Sequence, residues 1–280
     1  MKKWMMLLIS AALLFTAASA EGEDPVQKLE TGKDYKLDLN GDGIDETVCA
    51  KMESFDREGA LQIQVRTENG PHYYDTYIIF NEEIYAADVD GDGVCELLVT
   101  GDEASADYFT WCLKFNPEKG IYAVPFANAD RGVTSDEYFD AGYGRIESIE
   151  GNVITVSGSR DTLGTWWCGW QYALRDGRFE LVDGRRWKVV EEVDESEVWE
   201  FRCLTLTREL EMTTADGDAV TLQPGEKFTI TEFDEDSALI RTQSGLTGIL
   251  NIAPDEERGW GSLINGISED EYFEFVPYAD

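Results

Sequence analysis

Asp88-Val89-Asp90-Gly91-Asp92-Gly93-Val94-Cys95-Glu96, followed at once by Leu97-Leu98-Val99-Thr100, is a run of short acids and glycines that opens into an apolar stretch. Fifty residues upstream the pattern occurs as Asp38-Leu39-Asn40-Gly41-Asp42-Gly43-Ile44-Asp45-Glu46, followed by Thr47-Val48-Cys49. Each copy carries side-chain oxygens at positions 1, 3 and 5, a glycine at 6 and a glutamate at 9. Short side chains two residues apart can aim their oxygens at one point only where the backbone curls around it, and glycine permits the sharp turn. A hard cation taking six to eight oxygens suits such a set, and calcium is the expected occupant. The expected side-chain ligands are Asp38, Asn40, Asp42 and Glu46 in one loop and Asp88, Asp90, Asp92 and Glu96 in the other. Ile44 and Val94, at position 7, would offer backbone carbonyls. The alternative is a pair of Asx/Gly turns without metal in an acid-rich chain.

The start of the pattern is that of an EF-hand, but the remainder is not. An EF-hand needs a bidentate glutamate at position 12 and a helix on either side. Position 12 is Cys49 in one copy and Val99 in the other, and both flanks read as strands. These loops, set in β-hairpins, resemble those of the FG-GAP/VCBS repeat family. The resemblance implies propeller-like blades, each with a calcium loop of the Asp-x-Asp-x-Asp-Gly-x-x-Asp type between two strands. The chain departs from the family at position 9, where glutamate replaces aspartate, and at Asn40, which removes one charge from the first loop. With four acids against three, the Asp88 loop is expected to bind calcium more tightly than the Asp38 loop.

Working outward, the N-terminus has Lys2 and Lys3, an apolar run from Trp4 to Phe15, and Ala18-Ser19-Ala20. These are the parts of a secretory signal peptide, expected to span residues 1–20. No cysteine follows to form a lipoprotein anchor, and no later stretch is apolar for long enough to span a bilayer. A secreted or cell-envelope protein is therefore expected. The formal net charge of −34 argues against nucleic acid or an anionic membrane as a partner and favours divalent cations.

Strand-like alternation and glycine-rich turns dominate, so an all-β fold is expected, without a long helix after the leader. Leu61-Gln62-Ile63-Gln64-Val65 reads as a half-buried strand. Trp166-Trp167-Cys168-Gly169-Trp170 places Trp166, Cys168 and Trp170 on one face and Trp167 on the other, and both faces are apolar. That marks a buried strand in preference to a stacking platform for a ligand. His72, the only histidine, is assigned to the Asn69-Gly70-Pro71 turn as an exposed side chain. The five cysteines contain no Cys-x-x-Cys pair, which argues against zinc, and their odd number leaves at least one outside any intrachain disulfide.

Three parts follow the leader: a repeat domain over residues 21–190, an acidic linker over 191–198, and a second β domain over 199–280. Five short strands resemble a bacterial SH3-like domain through Leu222-Gln223-Pro224-Gly225-Glu226, the acidic tip Asp234-Glu235-Asp236 and the end strand Gly245 to Leu250. The resemblance implies recognition of cell-wall peptides or proline-rich segments. Residues 199–280 carry 18 acids against 5 bases, so anionic wall polymers would need calcium as a bridge. The expected function is an exported calcium-binding module for a protein, peptide or cell-wall component. Two other readings remain: a secreted hydrolase using a carboxylate pair hidden among the acids, and a purely structural envelope protein. No Gly-x-Ser-x-Gly or His-Glu-x-x-His motif is present, so no catalytic residue is assigned.

Overall fold

A computed structural model describes residues 26–55, 58–76, 78–103, 107–127, 140–190 and 194–278. The expected leader, and residues 191–193 of the expected linker, lie outside the described residues. The chain is all-β with antiparallel ladders. Strand β1 (Val26–Leu29) precedes a four-stranded meander of β2 (Asp34–Leu37), β3 (Glu46–Phe55), β4 (Glu58–Thr67) and β5 (Gly70–Asp75). A second meander follows: β6 (Phe80–Ala87), β7 (Glu96–Asp102), β8 (Tyr108–Asn116) and β9 (Gly120–Val124). Strand β1 turns forward to pair with β6, and the short β10 (Gly142–Tyr143) adds to β8. A third meander has the same order: β11 (Arg145–Glu150), β12 (Val153–Asp161), β13 (Thr165–Arg175) and β14 (Arg178–Leu181).

Period-2 patterning explains these elements. Leu61, Ile63 and Val65 of β4 are fully buried while Gln62 and Gln64 between them are not, as the alternation predicts. In β13, Trp166, Cys168 and Trp170 are buried, and Trp167 is half-buried with its ring edge-on to Tyr108. Strand β7 is buried along its whole length because both of its faces are covered. Leu97 and Val99 join a core shared with the first meander, whereas Leu98 joins the core that runs through the third. Successive sheets thus pack face on face, and the middle one is apolar on both sides. His72 lies in β5 opposite Val65, half-buried with its ring centroid 5.1 Å from that of Phe115, and not in the turn. Gly70 pairs with Thr67, so the turn closes earlier than the Asn-Gly-Pro spelling implies. None of the five cysteines is in a disulfide.

The C-terminal part holds the only α-helix among the described residues, α1 (Glu195–Phe201). It begins in the acidic run read as a linker, where Glu195 and Glu197 sit in the first turn and favour its positive end. Strand β15 (Trp187–Val189) precedes it, and β16 (Leu204–Thr205), β17 (Leu210–Thr214), β18 (Ala219–Leu222), β19 (Lys227–Phe233), β20 (Ser237–Thr242), β21 (Thr247–Pro254), β22 (Ser262–Ile264) and β23 (Ile267–Ser268) follow. The expected boundary at 191–198 does not interrupt the sheet. Strand β15 pairs with β13 on one side and with β19 on the other, Trp187 standing opposite Phe233. Arg186 binds Glu232, and Arg185 binds Glu235 of the acidic tip, so first-part cations neutralise that tip. At the far end, the Thr165 N–H donates to the Pro277 carbonyl at 3.0 Å.

Candidate metal-binding loops

Each Asp loop joins the first strand of its meander to the second. The register is the same in both: Leu37 pairs with Glu46 across the base of one loop, and Ala87 with Glu96 across the other. Four glycines take the left-handed backbone that the curl requires, with φ of +74° and +82° at Gly41 and Gly43 and +76° and +87° at Gly91 and Gly93. The first aspartate ties the turn. Asp38 accepts from the N–H groups of Gly41 (2.7 Å) and Gly43 (2.8 Å), and Asp88 from those of Gly91 (2.7 Å) and Gly93 (2.9 Å). Those donors, Gly43 foremost, hold the Asp38 carboxyl below its ordinary range.

The position-9 glutamates reach back beneath the loops. Glu46 accepts the Leu39 N–H and Glu96 the Val89 N–H, each at 2.8 Å. Both glutamates are almost fully buried, and burial lifts both carboxyls above the usual range. The position-5 aspartates do not turn inward to the same degree. Asp42 accepts the Ile44 N–H and Asp92 the Val94 N–H, each at 2.8 Å and each from two residues further on.

The two loops differ in what faces their glutamate. In the first, the Asn40 side-chain amide donates to Glu46 at 2.7 Å. In the second, position 3 is Asp90, and a lysine supplies the positive end. Lys114 of β8 binds Asp90 directly, lies 2.9 Å from Glu96 Oε1, and is 3.8 Å from Asp92 Oδ2. Burial lowers the affinity of Lys114 for its proton, but the bonds to Asp90 and Glu96 outweigh this and raise its pKa. The same ammonium outweighs the effect of burial on Asp90 and holds that carboxyl low. The position of β8 explains Lys114: Leu97 pairs with Leu113, which brings the next residue beside Glu96. In the first meander Thr47 pairs with Arg66, and the next residue is Thr67.

Oxygens of Asp88, Asp90 and Glu96 lie within 4.8 Å of one another, the only such group of three acids among the described residues. Oxygens bound to calcium at 2.3 to 2.6 Å lie at most about 5 Å apart, so this spread fits that ion. The ammonium between Asp90 and Glu96 marks their meeting point as a place for positive charge. Of the expected ligands of the second loop, Asp92 stays outside the cluster; the Asp38 loop does not draw Asp38, Asp42 and Glu46 together to the same degree. The chain matches no protein-family model, no curated protein and no solved structure.

A cleft of about 490 Å³ opens beside the second loop, with Asp90, Lys114, Tyr122, Asn152 and Asp176 among its walls. The two loops also touch: Gly41 packs against Val94. Sequence reasoning missed Lys114, whose one signal is a cation interrupting the buried run Tyr108–Leu113.

Proposed function

We propose that this chain is an exported, calcium-binding β-repeat protein that presents a binding surface to a protein, peptide or cell-wall component. In this reading the three meanders are propeller-like FG-GAP/VCBS-type units and the C-terminal part is an SH3-like module. The carrying observation is the recurrence of one loop at one register in successive meanders, with the oxygens of Asp88, Asp90 and Glu96 converging in the second. Face-on-face stacking of the sheets supports the repeat assignment. Asp88, Asp90 and Glu96 would hold one ion; Asp38, Asn40, Asp42 and Glu46 would hold another. Calcium would cancel the carboxylate charge and fix the loops, a structural and not a catalytic role.

Calorimetry with calcium chloride on the chelator-treated full chain, with magnesium as control, tests the metal. At about 1 mM calcium and a dissociation constant of about 0.1 mM, each site would add roughly 1.4 kcal/mol of stability. Equal melting temperatures in calcium and in chelator would remove the calcium reading. Retention of envelope material on the immobilised chain, with and without calcium, tests the binding role; no calcium-dependent retention would count against it.

A further inference from the structure

We propose that Lys114 is the resident counter-ion of the Asp88 loop, and that a divalent cation enters this loop only by displacing the Lys114 ammonium toward the adjoining cleft. The inference rests on the calcium reading above and specifies how that site is regulated.

The geometry carries it. The ammonium sits against Asp90 and Glu96, two of the three carboxylates that converge there, with Asp92 at 3.8 Å. A lysine ammonium donates up to three hydrogen bonds and accepts none, so it satisfies carboxylates as a metal does, but with one charge and no coordination sphere. Ammonium and metal ion cannot both occupy the space between Asp90 and Glu96. Lys114 has somewhere to go: it lines the cleft of about 490 Å³, as do Asn152 and Asp176. Its four-carbon stem can move the head group without moving β8.

The charge comparison sharpens the case. Asp88, Asp90, Asp92 and Glu96 make the second loop the more acidic, and charge alone ranks it the tighter calcium site. Lys114 cancels one of those charges, leaving the same net charge as Asp38, Asp42 and Glu46 in the first loop. Among the described residues no lysine faces Glu46 in this way; there the neutral Asn40 amide contacts it. The two loops thus answer differently to calcium, one by simple filling and the other by exchange. Exchange also couples the loop to the cleft, because each cation bound would deliver a free ammonium to the cleft wall.

The test uses the full chain carrying Asp42→Ala, which weakens the first loop, with and without Lys114→Gln or Lys114→Met. Calcium chloride is titrated by calorimetry into chelator-treated protein. Removing Lys114 is expected to tighten the remaining site by about tenfold or more, since charge-assisted hydrogen bonds no longer have to be broken. A second measurement needs no substitution at the site: Lys114 in the native chain is acylated with an amine-reactive ester, with and without calcium, and quantified by mass spectrometry. Calcium is expected to speed Lys114 labelling relative to the other lysines. Unchanged or weaker calcium binding in both variants, or Lys114 labelling indifferent to calcium while calorimetry shows binding, overturns the exchange and leaves the calcium reading standing. Absence of calcium binding in the native chain and in all variants overturns both.

Discussion

A Cβ atom added to Gly41 would lie 2.9 Å from Cγ2 of Val94, so the two Asp loops touch at their tips. Gly41 also holds a left-handed φ of +74°. Gly91, its counterpart, has a similar φ of +76° but nothing within 4 Å. Gly41→Ala should therefore cost more than Gly91→Ala: about 2 to 3 kcal/mol against about 1 to 2, the difference being the clash. Urea unfolding in chelator separates the two. Equal losses would mean that the loops do not press on each other.

Glu46 and Glu96 are expected to stabilise the fold even without metal. Each accepts a buried N–H, from Leu39 and Val89 respectively. Truncation to alanine leaves that donor unsatisfied, at about 1 to 3 kcal/mol. Glu96→Ala should be the more damaging, because it removes a partner of the charged Lys114 ammonium, whereas Glu46→Ala removes one of the neutral Asn40 amide. Thermal melts in chelator should show Glu96→Gln as milder than Glu96→Ala, since the amide oxygen still accepts from Val89. Identical melts for the two Glu96 variants would rule out this bond as the cause.

Glu269 predicts a pH effect in the C-terminal part. Its side chain is fully buried; Oε2 accepts from the Ser262 N–H (2.9 Å) and the Tyr278 hydroxyl (3.0 Å). Oε1 has no hydrogen-bond partner among the described residues. Burial raises the carboxyl above its usual 4.5, and the two donors offset this only in part. The unfolded group ionises first as pH rises. The stabilising contribution is thus complete below 4.5 and is lost as pH climbs through the folded value. Glu269→Gln keeps an acceptor and cannot ionise. The melting temperature of this variant minus that of the native chain should grow with pH above about 4.5 and then level off. A difference that stays flat across that range would contradict the assignment.

The Trp187–Phe233 pairing bears on whether the C-terminal part stands alone. Trp187 is buried, its ring centroid 5.7 Å from that of Phe233, in the strand that joins β13 to β19. Trp187→Ala should cost about 3 to 5 kcal/mol. A fragment of residues 198–280 lacks this strand and should melt well below the same residues in the full chain, with reduced amide protection along β19. A fragment with native protection in β19 would mean that the junction adds little.

Local features of the site were legible in the sequence. The curl of both loops follows from the glycines at positions 4 and 6, whose backbone freedom is a property of single residues. The strand after the second loop follows from its continuous apolar run, and the burial of Trp166, Cys168 and Trp170 from period-2 alternation. What was not legible depends on register between distant strands. Lys114 lies well beyond Glu96 in the chain, and a lone lysine in a strand reads as a solvated side chain until Leu113 is known to face Leu97. The continuity of the sheet across the acidic run was hidden for the same reason: like charges suggest separation, and Arg185 and Arg186 neutralise an acidic tip that lies far away in sequence. Helix α1 is short, and its apolar positions Val198, Trp199 and Phe201 are too few to reveal a period.

The bond from Thr165 to Pro277 sets an order of events during synthesis. The turn that ends in Thr165 leaves the ribosome on the order of a hundred residues before its carbonyl partner exists. Until then its amide faces water, and the edge of the third meander beside Gly164 lies open where Pro277 will later cover it. The nascent chain therefore cannot close this seam as it grows, however early the three meanders form. The closing contact waits for Pro277, so a ribosome stalled between Thr165 and Pro277 would hold a chain with assembled loops and an open flank.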